Sequence, residues 1–198
     1  MRVIEAEFEK SASGADSFPP PGAPEIAFCG RSNVGKSSLL QALTNKREKL
    51  VRISSTPGRT RLVNFFRVET EIGTLRFVDL PGYGYAKVSK EERKHWFAFV
   101  EQYLGARAPL RACVLLMDAR RGAELDETEL AKWLSERGVA VVPVATKADK
   151  LSKHERKPAG EKISRALGLS ATLVSATTGD GLDELWRRIA KAVNIAAT

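Results

Sequence analysis

The stretch GRSNVGKSSLL, Gly30 to Leu40, follows a short apolar run, EIAFC, from Glu25 to Cys29. It fits G-x-x-x-x-G-K-[ST], with Gly30, Gly35, Lys36 and Ser37 in the required places. A strand-like run before it and a helix-like run after it are the setting this pattern needs. Glycines let the backbone N–H groups of the loop, through Arg31, Ser32, Asn33 and Val34, turn inward around phosphates. The following helix adds its positive end. Lys36 supplies a point charge to the outer phosphates, and the Ser37 hydroxyl is a ligand for Mg2+. The loop alone does not distinguish ATP from GTP, or a kinase from a switch.

Two further stretches narrow the choice. DLPGYG puts Asp79 at the end of a strand-like run and Gly82 in the turn behind it, with Leu80 and Pro81 between. Asp79 can hold Mg2+ through water, and the Gly82 N–H can meet a γ-phosphate. VATKADK then places Thr146, Lys147, Ala148 and Asp149 at the end of another strand-like run. Guanine offers two donors on one edge, N1–H and the 2-amino group, and an ionised Asp149 accepts both while adenine cannot satisfy it. Leaving such a carboxylate unpaired costs on the order of 1–3 kcal/mol, roughly ten- to hundredfold in affinity. The Lys147 stem can lie along the base. In VSATTGDGLDEL, the Ser175 and Ala176 N–H groups behind Val174 can reach the guanine O6.

These residues need a frame that brings distant segments together. Strand-like and helix-like runs alternate: Glu25 to Cys29, a helix Lys36 to about Thr44, a hairpin of Leu62 to Glu69 and Leu75 to Asp79, and a helix about Lys90 to Leu104. A buried strand at 112 to 118, a helix Asp126 to Arg137, a strand at 139 to 146 and a helix Lys153 to Leu167 come next. A short strand Thr172 to Val174 and a helix Leu182 to Val193 end the series. That order predicts an α/β fold, a mostly parallel six-stranded sheet with helices on both faces. Ligands in such sheets bind at the carboxyl ends of the strands, where all three motifs fall. Val3 to Phe8 alternates like an additional edge strand, and residues 11 to 24, rich in Ser, Gly and Pro, read as an irregular linker. We therefore expect an N-terminal extension over 1–24 and a nucleotide-binding domain over 25–195. Residues 45 to 60 read as a mobile loop.

At 198 residues the chain has room for one well-buried domain. No apolar run approaches the roughly 20 residues needed to cross a bilayer, and MRVIEAEFEK lacks a signal-peptide core. Cys29 and Cys113 lie in strand-like runs and read as buried free thiols, which points to a reducing, cytoplasmic setting. Lys plus Arg is 32 against 24 Asp plus Glu, a net charge of +8. The surplus is concentrated around Lys46 to Arg76 and Lys147 to Arg165. It suggests an acidic polymer such as RNA, although scattered surface charge also gives solubility alone.

The chain resembles the EngB (YihA/YsxC) family of translation-factor-class P-loop GTPases. GRSNVGKSSLL, STPGRTRLVNFF, FVDLPGYGYA, ATKADK and VSATTGDGLDEL carry the resemblance, in family order and spacing, over nearly all of Glu25 to Val193. It implies a three-layer Ras-like fold, GTP hydrolysis, a monomeric cytoplasmic protein, and a role in large ribosomal subunit assembly that connects with cell division and septation. It also implies that Thr60 joins Ser37 on Mg2+, with Thr56 the runner-up, and that Gly58, Arg59, Arg61 and Leu62 share that switch loop. Thr146 stands where many GTPases have Asn. The position after Gly82, a glutamine in Ras-like switches, is Tyr83, which reads as a packing residue. Asn33 either shapes the loop or holds K+ against the phosphates, as in potassium-dependent GTPases. On this reading Lys36, Thr60, Gly82 and Asn33 serve catalysis. A nucleoside kinase would not need the guanine motifs. A GTPase acting on a septum protein is the alternative to a ribosomal one.

Overall fold

The computed structural model describes residues 2–44, 62–83, 98, 100–105 and 107–195. Seven strands form one sheet in the order β1-β3-β4-β2-β5-β6-β7. They are β1 (Val3–Ala12), β2 (Glu25–Gly30), β3 (Val63–Thr70), β4 (Gly73–Asp79), β5 (Leu110–Asp118), β6 (Ala140–Thr146) and β7 (Thr172–Leu173). β4, β2, β5, β6 and β7 run parallel, whereas β3 is antiparallel to β1 and to β4. The helices are α1 (Lys36–Thr44), α2 (described at 98 and 100–105), α3 (Leu125–Glu136), α4 (Lys153–Leu167) and α5 (Leu182–Ile195).

Every residue of β2 is buried, as expected for a central parallel strand covered on both faces. Alternation divides it between two cores. Ile26 and Phe28 join Leu39 and Leu43 of α1 and Trp186 and Ile189 of α5. Ala27 and Cys29 join Tyr103 of α2, Leu130 and Leu134 of α3, and Ile163 of α4. Cys29 and Cys113 are buried free thiols, as the sequence suggests.

The expected edge strand is present and longer than its apolar pattern. Ser11 and Ala12, read from composition as linker, pair with Asn64 and Val63. Ala12 is buried, and the Ser11 hydroxyl donates to Asn64 Oδ1 at 2.6 Å, so tertiary partners extend the strand. The remaining linker is held in place. Glu25, fully buried, accepts from Arg107 Nη2 (2.6 Å), Arg76 Nη1 (3.0 Å) and the Tyr103 hydroxyl (2.7 Å). The same arginines donate to the Pro19 and Pro20 carbonyls, tying the proline run to the amino end of the sheet. The other observed strand and helix bounds lie within two residues of the expected ones. The mobile loop read at 45 to 60, most of the helix read at Lys90 to Leu104, and Gly58, Arg59, Thr60, Arg61 and Thr56 lie outside the described residues.

Candidate functional site

The phosphate-loop motif leaves the carboxyl end of β2 in the middle of the sheet and enters α1. Gly30 is required by contact: a Cβ there would lie 2.8 Å from the Leu116 carbonyl oxygen. Gly35 has φ 104°, a conformation that strains any other residue. Asn33 has φ 63°, which its short polar side chain tolerates better than most. The Asn33 side chain is exposed, and Val34 turns inward.

The DLPGY turn is seated directly on this loop. Ser32 N–H donates to the Tyr83 carbonyl at 2.7 Å, and Tyr83 N–H donates to the Gly30 carbonyl at 3.3 Å. A Cβ on Gly82 would come within 3.1–3.2 Å of Ser32 Oγ, Cα and N, so a side chain there would push the turn and the loop apart by a few tenths of an ångström. Lys36 Nζ makes an ion pair with Asp79 Oδ1, both side chains nearly buried. The motif cation thus holds the motif carboxylate across the space between the two loops. Ser32 Oγ is buried and has no hydrogen-bond partner among the described residues. A polar orphan in a glycine-lined cradle fits a bound phosphate, and the nearby oxygens of Ser37 and Asp79 are the hard donors that Mg2+ prefers. Among the described residues no group of three or more His, Cys, Asp or Glu is placed to hold a metal. That suits an ion which takes most of its ligands from phosphate and water.

Tyr83 packs, as the sequence suggests, and its hydroxyl is engaged. The side chain is 3 % exposed, and the phenol donates to Glu127 Oε1 of α3 at 2.7 Å. Burial, reinforced by neighbouring Cys29 and Glu127, pushes the phenol far above its ordinary pKa. Glu127 Oε2 accepts the Glu124 N–H at 2.8 Å, capping α3. The turn is therefore tied to α3 as well as to the phosphate loop.

At the end of β6 the TKAD residues act in two directions. Thr146 Oγ1 lies 2.6 Å from the Val34 carbonyl and 3.0 Å from that of Met117. Lys147, itself at φ 59°, donates from Nζ to the Asn33 carbonyl at 2.7 Å. Both side chains therefore brace the phosphate loop from the neighbouring strand. Ala148 N–H donates to the Val174 carbonyl at 3.1 Å, placing the tight turn that presents Asp149. The Ser175 hydroxyl donates to Asp149 Oδ1 at 2.8 Å and keeps that carboxyl below the usual carboxylate range. Gly181, behind it, has φ 78°, and a Cβ there would strike the Leu173 carbonyl oxygen, so the loop of Ser175 can close only on glycine.

One expectation needs correcting here. The Ser175 N–H, read as a donor to guanine O6, is spent on the Asp180 carbonyl at 2.9 Å, because the loop folds back on itself there. Ser175 instead orients Asp149 through its hydroxyl, and Ala176 follows it at the rim of the site. Leu62, the described end of the switch-loop stretch, stands 37 % exposed before β3. Asp118 and Glu127 were missed from the sequence. They stand 29 and 44 residues from Lys147 and Tyr83, and no short-range pattern links them.

Comparison with known proteins agrees with this geometry. Residues 25–147 match the family described as 50S ribosome-binding GTPase. "Probable GTP-binding protein EngB" of Geobacter metallireducens is 49% identical over 192 residues, covering 96% of this chain and 92% of that protein. The protein of the same name in Desulfatibacillum aliphaticivorans is 48% identical with the same coverage. The crystal structure of a probable GTP-binding protein engB superposes with TM-score 0.67 at 24% identity, over 86% of this chain and 98% of that one. Aquifex aeolicus Era bound to GDP.AlF4- gives TM-score 0.68 at 26% identity, over 86% of this chain and 56% of that one. With a phosphate loop braced from β6, the Asp79–Gly82 turn seated on it and the Asp149 carboxylate oriented by Ser175, the chain belongs to the EngB family of P-loop GTPases and hydrolyses GTP.

Proposed function

We propose that the chain is a nucleotide switch in assembly of the large ribosomal subunit, that it meets ribosomal RNA in its GTP-bound form, and that cell division and septation depend on this role. The observation that carries the reading is the match of residues 25–147 to a family described as 50S ribosome-binding GTPase. The net charge of +8 supports a polyanionic partner. Among the described residues no helix is long and apolar enough to cross a membrane, and the reading takes the protein to be cytoplasmic and monomeric.

In this reading GTP competes with Asp79 for the Lys36 ammonium. Its phosphates draw Lys36 into the loop, and the released carboxylate is then available to a metal-bound water. Gly30 through Ser37 cradle the phosphates, the Gly82 N–H meets the γ-phosphate, and Asp149 reads the guanine edge. Ser37, Thr60 and, through water, Asp79 hold Mg2+, which neutralises charge on the outer phosphates when bound. By the resemblance, Gly58, Arg59, Thr60, Arg61 and Leu62 would also belong to the GTP-binding residues. GTP should order the loop around Thr60 and the turn at Asp79 to Tyr83 through Mg2+ and the γ-phosphate, and hydrolysis releases both.

Tyr83 cannot orient water as a glutamine does, since its phenol is held by Glu127. Turnover of the isolated protein is therefore expected to be slow, on the order of 10⁻⁴ to 10⁻² s⁻¹. Asn33 is exposed at the loop's left-handed corner, and in this reading it either holds K+ against the phosphates or only shapes the loop. If it holds K+, exchanging Na+ for K+ should raise the rate, and Asn33→Ala should erase the gain. Equal turnover in both salts leaves Asn33 as a loop-shaping residue.

Co-sedimentation with ribosomal subunits tests the partner. Binding should be greatest with a non-hydrolysable GTP analogue and fall steeply with salt, with a log–log slope of about −0.7 per contact on single-stranded RNA. Equal, salt-insensitive binding in all nucleotide states would overturn the ribosomal reading and favour a septum protein.

A further inference from the structure

Asp118 closes β5 and belongs to none of the nucleotide motifs. Its side chain is only 8% exposed, and it takes part in two distinct arrangements. The first is local: Oδ1 accepts the Arg120 N–H at 3.0 Å, and the Arg120 guanidinium grips both oxygens at 2.9 and 2.6 Å. The second reaches across strands: Oδ2 lies 3.1 Å from Lys147 Nζ. That same ammonium donates to the Asn33 carbonyl at 2.7 Å.

Lys147 is therefore fixed at its head by two acceptors, one on β5 and one on the phosphate loop. Its stem passes over the loop, with Cε 3.8 Å from where a Cβ of Gly35 would stand. A lysine stem loses rotamer entropy when immobilised. A stem that is to serve as a flat surface for a base needs something to hold it there before the base arrives. The Asn33 carbonyl is neutral. Asp118 is the carboxylate that reaches the ammonium, and Arg120 keeps it ionised throughout the working pH range.

We propose that Asp118 is a positioning residue for nucleotide binding: its carboxylate pins the Lys147 ammonium against the Asn33 carbonyl and so holds the Lys147 stem where guanine stacks. The proposal rests on the reading that Lys147 lies along the base. It goes beyond that reading in giving the nucleotide motifs a fixed counter-ion outside themselves. Arg120 shares the carboxylate from the exposed side, with half of its side chain in solvent, and holds the loop rather than the base.

The test is a double-mutant cycle on the full chain, reading fluorescent GDP and GTP dissociation rates and affinities. Asp118→Asn keeps an oxygen for the Arg120 N–H and removes the charge. It should weaken GDP and GTP alike by about tenfold, because the base is common to both. In a Lys147→Met background, which keeps the apolar stem and loses the ammonium, the same change should cost less than about twofold. Arg120→Ala should also stay within about twofold. An equal loss from Asp118→Asn with or without the ammonium, or a loss from Arg120→Ala as large as that from Asp118→Asn, would make Asp118 a loop-holding residue and overturn the proposal alone. Unaltered binding by Lys147→Met, whose stem remains, would show that the base needs no pinned ammonium and overturn the proposal alone, whereas wild-type binding by Lys147→Ala would overturn the placement of Lys147 along the base, and the proposal with it.

Discussion

Replacing Thr146 by Val separates the base from the phosphate loop. The hydroxyl sits in a site 4% exposed, between the carbonyls of Val34 and Met117 at 2.6 and 3.0 Å. Valine keeps the shape and deletes the donor. The Val34 carbonyl then loses its tie to β6, and leaving a buried polar group unpaired costs about 1–3 kcal/mol. At roughly 2–4 °C per kcal/mol for a chain of this size, nucleotide-free protein should melt about 2–12 °C lower. Thr146→Ser retains the hydroxyl and should recover most of the loss. GDP affinity should fall because the loop is loosened, but IDP affinity should fall by the same factor, since no contact to the guanine 2-amino group is removed. Differential scanning fluorimetry without nucleotide, with GDP and IDP titrations, measures all of these. Unchanged melting together with a fall in the GDP-over-IDP preference would place the hydroxyl at the base and refute the reasoning.

Three further outcomes are expected. Asp149→Asn exchanges a double acceptor for a group that is half donor, so GTP should bind more weakly and xanthosine triphosphate more tightly; a preserved preference for GTP in paired titrations removes Asp149 from the base. Gly82→Ala sets a methyl 3.1–3.2 Å from Ser32 and should cost about 1–3 kcal/mol in urea unfolding without nucleotide, so wild-type stability would mean the turn does not rest on the loop. Tyr83 and Tyr103 are held neutral by burial beside Glu127 and Glu25, so their folded-state pKa values lie above the unfolded one near 10. That stabilisation is complete below pH 10 and is lost as pH rises beyond it, so absorbance near 295 nm should show both phenols ionising only with unfolding; ionisation of more than one of the three tyrosines in folded protein contradicts this.

Local chemistry was legible without a structure. G-x-x-x-x-G-K-S, D-x-x-G and T-K-A-D each carry their meaning in a few adjacent residues, since glycine conformation, a strand end and a helix start are local properties. The alternating runs likewise predicted a mostly parallel sheet, because periodicity reports which face is buried. What the motifs do to one another was decided by tertiary structure. Thr146 and Lys147, read as base-side residues, reach the phosphate loop 112 and 114 positions earlier with their polar atoms, because β6 ends beside it. Ser175 orients Asp149 instead of offering its N–H, Glu127 captures Tyr83, and Asp118 reaches Lys147. In each case the partner lies on a segment distant in sequence, so the pairing exists only once the sheet has set its register. Composition marked residues 11 to 24 as loose linker for the same reason. Proline and glycine declare what a segment cannot form by itself, while the buried Glu25 and the arginines beside it hold that segment to the sheet.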